Sequence, residues 1–164
     1  MASAAQTSRS SCSQRERIKS VFPAPKTVGF SQRGPIKFQP PRAPVWPGTC
    51  VGWWTEYQHF ADGAQVDYVD VGVTLYRTPT QALFALREPA FGPARVLSNG
   101  ARVRASADGG GVASVIRNIM VSSTSSFLPA DAGGVPDFAG GPDLPISAQM
   151  KIHRRIQSAV LRLG

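Results

Sequence analysis

Apolar and polar positions alternate along Val66 to Tyr76. Val69, Val71, Val73 and Leu75 hold the odd positions, and Tyr68, Asp70, Gly72, Thr74 and Tyr76 hold the even ones. A repeat of two places the odd set on one face of a strand, and β-branched residues with tyrosines suit such a half-buried surface. The alternation stops at Arg77-Thr78-Pro79, which reads as a helix start. Thr78 is a good N-cap, Pro79 suits the first helical position, and Gln81 completes a capping-box spacing. Ala82, Leu83, Phe84 and Leu86 supply the apolar stripe, and Glu88-Pro89 ends it, since the residue before proline is pushed out of the α region. The remaining elements are expected to pair with or pack on this strand–helix unit.

Upstream, Thr49 to Phe60 predicts a strand with aromatics on both faces, and Ala61-Asp62-Gly63 predicts a turn that makes it a hairpin partner of the central strand. Downstream, Arg95 to Leu97 predicts a short strand and Asn99-Gly100 a hairpin turn. Ala101 to Ala107 returns with Val103 inward and Arg102 and Arg104 outward. Asp108 to Gly111 is a further turn. Val112 to Ser123 reads as one long strand, with Val115, Ile119 and Val121 on one face and Ile116 and Met120 on the other. Apolar groups on both faces suit a central or helix-covered strand. Residues 124–144 read as a loop long enough to be mobile or functional. In Pro145 to Leu163, Ile152, Ile156, Ala159, Val160 and Leu163 keep a helical spacing, with Lys151, Arg154, Arg155 and Arg162 mainly off that stripe. The order predicts an α+β fold: a mostly antiparallel sheet of four to five strands with two helices packed on one face, all within residues 49–164. That length can bury one core without staples.

Charge separates the chain into two parts. The 164 residues carry a formal net charge of +8. Residues 1–45 hold eight basic groups against Glu16 alone, whereas the remainder holds ten basic and nine acidic groups. Residues 1–48, with prolines at 23, 25, 35, 40, 41, 44 and 47, are therefore expected to be a disordered, basic, Pro-rich leader. Its first 20 residues fit a disordered tail, an organelle transit peptide, or a start that has lost an export signal. No run of 18 apolar residues predicts a membrane span, and the apolar segment that a signal or a lipid-attachment site at Cys12 would need is lacking. Cys12 and Cys50 could form one disulfide in an oxidising compartment or stay as two free thiols, and both readings stand open.

No constellation of residues carries catalysis. The only histidines, His59 and His153, share no compact zinc spacing with Cys12 and Cys50. Cys50 and His59 lie up to about 30 Å apart along one strand. Asp67 and Asp70 sit on opposite strand faces, whereas Glu56 and Asp70 meet only if the hairpin register pairs them. Asp108 to Gly111 lacks the Gly-Lys-Ser/Thr of a phosphate loop. No catalytic residue, metal or cofactor is expected, and the domain reads as a non-enzymatic binding or interaction module. Trp53, Trp54, Tyr57, Phe60 and Tyr68 form a core, or, with one sheet face open, a groove for a peptide, a glycan or a small apolar ligand. The alternative is nucleic-acid contact through the leader and through Arg102, Arg104 and Arg117 beside Trp53, Trp54 and Tyr57. Against it, residues beyond the leader are nearly neutral and carry no RNA-recognition motif.

Four segments, VDYVDVGVTLYRTPTQALFAL, GVASVIRNIMV, IHRRIQSAVLRL and GTCVGWW with its cysteine, together resemble small exported domains of GC-rich bacteria such as actinobacteria, of lipoprotein or sensor type. The resemblance implies an extracytoplasmic α+β module that binds or scaffolds. It carries over no functional residue.

Overall fold

Two 13-residue strands form the centre of the molecule. The computed structural model describes Cys12, Gln14 and residues 16–39, 48–87, 95–96, 102–105, 111–127 and 144–163. Strand β1 spans Gln32–Arg33, β2 Lys37–Gln39, β3 Thr49–Ala61 and β4 Ala64–Tyr76. Helix α1 is Pro79–Ala85. Then come β5 Arg95–Val96, β6 Arg102–Ala105, β7 Gly111–Ile116 and β8 Ile119–Phe127, and helix α2 is Leu144–Arg162. All strands join one antiparallel sheet in the order β1-β3-β4-β8-β7-β6-β5, with β2 also pairing β3. The α+β class is as expected, and the sheet is wider because β1 and β2 add short edges and the single strand expected over Val112–Ser123 is two strands, β7 and β8.

Local chemistry accounts for the central hairpin and α1. β3 and β4 close at Asp62-Gly63, where φ is 52° and 80°. Positive φ at both turn residues is what a two-residue hairpin needs, and Asp-Gly supplies it cheaply. Thr78 caps α1 as expected: its backbone is extended and its hydroxyl accepts a hydrogen bond from the Gln81 amide at 3.2 Å, with Pro79 at the first helical position. The Gln81 side chain does not reach back to complete the box. It lies against Gly48, whose φ of 83° and missing Cβ leave it room.

The sheet has two differently covered faces. Val69, Val71, Val73 and Leu75 share one face with Val51, Tyr57, Ile119 and Val121. Ile152, Ile156 and Val160 of α2 cover it. Two 3₁₀ turns, Arg17–Val21 and Pro25–Val28, complete that layer with Ile18, Val21, Phe22 and Val28, joined by Phe30. On the other face Tyr76, Ala113, Val115 and Met120 meet Ala82, Ala85 and Leu86 of α1 and the turn after it.

Three expectations change. The helices lie on opposite faces: α1 packs on the apolar patch that Tyr76, Ala113, Val115 and Met120 make on one face, whereas α2 covers the Val69, Val71, Val73 and Leu75 face. Val112–Ser123 is a hairpin: Ile116 pairs with Ile119 around Arg117-Asn118, and β8 continues to Phe127 through the stretch expected as loop. Residues 17–39 are not a disordered leader. Ile18 is fully buried, β1 and β2 pair with β3, and Tyr57 donates a hydrogen bond to the Pro23 carbonyl at 2.8 Å. The expected Asn99-Gly100 turn and the stretch 128–143 lie outside the described residues.

Candidate functional site

α1 covers only one end of its sheet face. Beyond it, antiparallel register sets Lys37, Trp54, Gly72 and Ser122 in one row across β2, β3, β4 and β8. The next row is Glu56, Asp70 and Thr124, and the next begins with Gln58 and Tyr68. Trp54, Gly72 and Ser122 of the first row and Asp70 and Thr124 of the second line a groove of about 430 Å³, with Gln39 at its edge. Gly72 keeps the floor low. A Cβ there would stand 2.9 Å from Ser122 Oγ.

An unfavourable charge arrangement reaches the groove through Asp70. Glu56 and Asp70 face each other directly across β3 and β4, and like charges in that relation repel. Burial, then the Glu56 charge, push the Asp70 carboxyl above the usual carboxylate range, while Lys37 opposes them. Asp70 Oδ1 is buried with no hydrogen-bond partner. Gln58 Nε2 donates to Glu56 Oε1, and the Lys37 ammonium lies 4.6 Å from the centre of the Trp54 ring. The groove thus combines an aromatic wall, hydroxyls and an under-satisfied carboxylate, a mixed lining that suits a ligand with apolar and polar parts.

The expected aromatic cluster is divided between the faces. Trp54 and, by register, Tyr68 belong to the groove side. Trp53 is on the α2 side, with the Lys19 ammonium 3.9 Å from its ring centre and the Phe38 ring edge-on at 5.5 Å. Tyr57 is core: it packs edge-on to Phe30, and burial pushes its hydroxyl up to about 12 against the lowering effect of Arg33. Arg102 and Arg104 pair in register with Val115 and Ala113. Arg117 sits in the β7–β8 turn at the α1 end of the sheet and does not join them. A single aromatic-basic surface containing Trp53, Trp54 and Tyr57 is therefore not assembled.

Cys12 and Cys50 are joined in a disulfide, with Cα atoms 5.7 Å apart. Among the described residues no group of three or more His, Cys, Asp and Glu side chains could hold a metal, and no helix is long and apolar enough to cross a membrane.

A buried polar network escapes the sequence pattern. His153 has no exposed surface. Its Nε2 lies 2.8 Å from Ser114 Oγ, and its Nδ1 lies 3.1 Å from Ser123 Oγ. Gln149 Nε2 donates to the Ser123 carbonyl at 2.9 Å. The distances resemble a nucleophile–base pair, but Ser114 and His153 are both sealed from solvent, and the burial of His153 lowers its pKa to about 4. The network ties α2 to β7 and β8. A signal was present in the sequence: Gln149, His153 and Gln157 recur every fourth residue beside the apolar stripe, so that α2 buries polar groups needing partners.

These features define an α+β domain whose sheet, among the described residues, is covered by helix and turns on one side and left partly open on the other. The fold is similar to the crystal structure of the extracellular domain of PknH from Mycobacterium tuberculosis, with a TM-score of 0.50 and 11% sequence identity over 89% of this chain and 96% of that one. At that identity the likeness is one of fold. Searches of protein-family models and of curated proteins found no match to the chain.

Proposed function

We propose that the chain is a non-enzymatic, extracytoplasmic binding domain that takes its ligand in the groove beside Trp54. The observation that carries this reading is the sheet face that the described residues leave uncovered, where Asp70 and Glu56 face each other although the pairing costs stability. Strain of this kind persists where function uses it. An extracytoplasmic setting is supported by the Cys12–Cys50 disulfide and by the fold shared with an extracellular domain. A non-enzymatic role is supported by the sealed position of His153 and by the engagement of Cys50 in the disulfide. The lining suits a short peptide, a glycan or a small apolar molecule bearing a polar group.

Thermal-shift screening of peptide, oligosaccharide and small-molecule collections tests this reading. Trp54→Ala and Thr124→Trp serve as groove variants, because both side chains line the groove without belonging to the core. A ligand that stabilises the wild type, loses its effect in both variants and is recovered unchanged supports the proposal. Stabilisation indifferent to both variants overturns the groove, and chemical conversion of the bound ligand overturns the non-enzymatic role.

A further inference from the structure

We propose that the outer face of α2 docks the domain on an anionic phospholipid surface. Ile152, Ile156 and Val160 turn inward, which leaves Lys151, Arg154, Arg155, Ser158, Leu161 and Arg162 exposed at helical spacings of three and four. The stripe from Lys151 to Arg162 is about 16 Å long. The whole of Leu144–Arg162 contains no Asp or Glu. A solvated helix face ordinarily mixes both signs, and like charges at such spacings destabilise the helix. Here Lys151, Arg154, Arg155 and Ser158 instead surround a shallow depression of about 350 Å³. The neighbouring 3₁₀ turns add Arg17, Lys19 and Lys26 to the same layer, with Glu16, 3.4 Å from Lys19, as the acid beside them.

The charge pattern fits a polyanion, and the geometry selects a planar one. The basic stripe is straight and outward-facing on the back of a sheet layer. It is no cleft that would embrace a strand of nucleic acid. The disulfide points to an oxidising compartment, where lipid headgroups and not nucleic acids present dense negative charge. Because the apolar stripe of α2 is already spent on the core, attachment rests on charge without insertion. Docking through α2 turns the groove, on the opposite sheet face, away from the bilayer.

Vesicle flotation of the full chain tests the proposal, with phosphatidylcholine vesicles that contain or lack phosphatidylglycerol. The expected result is binding to the anionic vesicles alone, lost as salt shortens the Debye length. Arg154→Gln with Arg155→Gln weakens it roughly 30-fold at unchanged Tm, and Arg77→Gln with Arg87→Gln, an equal charge change at the α1 end, leaves it near wild type. Equal binding to neutral vesicles overturns the proposal, as does equal weakening by both double variants. So does a short DNA duplex held by Arg154 and Arg155 in preference to the vesicles.

Discussion

His153 is neutral in the fold for a physical reason that solution measurements can reach. It is fully buried, its ring hydrogen-bonds to two uncharged hydroxyls, and burial lowers its pKa from 6.5 to about 4. The unfolded chain therefore takes up the proton at a higher pH than the folded chain does. The stabilising contribution is whole above pH 6.5, declines as pH falls toward 4, and is absent below that. The gap corresponds to roughly 3 kcal/mol across the window. Urea unfolding from pH 7 to pH 4 checks this through the difference between wild type and His153→Gln, which is less stable at neutral pH but free of this titration. The stability difference between the two proteins should shrink steadily as pH falls. A difference independent of pH would mean that the ring is not the titrating group.

At the scale of elements, the contrast lies between α1 and the β7–β8 hairpin. The Thr78-Pro79 start of α1 and the Asp62-Gly63 turn are local devices: the residue types themselves fix the backbone, so both were legible in the sequence. The β7–β8 turn is built from Arg117-Asn118, and Arg117 holds φ at 56°, a region that favours glycine. Its stability comes from tertiary contacts. Asn118 Nδ2 donates to the Tyr76 carbonyl at 2.6 Å, and the Tyr76 amide donates to the Asn118 carbonyl at 2.8 Å. A turn held by another strand leaves little local signal, and with only Arg117-Asn118 parting Val115-Ile116 from Ile119-Met120-Val121 the stretch reads as one strand. The face chosen by α1 was hidden for a similar reason, since it depends on Met120 and Val115 arriving from that hairpin. In the groove, the alternation gave Trp54 and Asp70 their strand positions, but only the register made Asp70 face Glu56. Arg117→Gly relieves the turn strain and is expected to stabilise the fold by up to about 1 kcal/mol. The readout is a higher urea midpoint at unchanged slope, and a lower midpoint would show that the arginine side chain contributes more than its backbone costs.

For the whole molecule, the decisive matter is where the fold begins. Composition places residues 1–48 outside the domain, because basic residues and prolines dominate there. Yet Ile18, Val21, Phe22, Val28 and Phe30 are buried against Tyr57, Val69 and α2. Their irregular spacing follows 3₁₀ turns broken by Pro23 and Pro25, so neither a helical nor a strand period reveals them. Arg33 Nη1 donates to the Phe22 and Pro23 carbonyls at 3.1 and 3.3 Å, and the disulfide closes a 38-residue separation. Loop closure of that length is worth about 3–4 kcal/mol, and each large apolar side chain removed from such a layer costs about 2–5 kcal/mol. Five such side chains together exceed the net stability of an ordinary domain, about 5–15 kcal/mol. A fragment of residues 49–164 should therefore lose its cooperative thermal transition and expose the Trp53–Tyr57 face. The full chain should unfold cooperatively, and Ile18→Ala in it should lower the Tm without abolishing the transition. Near-UV circular dichroism and calorimetry separate these outcomes, and native-like cooperativity in the 49–164 fragment would return the fold's beginning to Thr49.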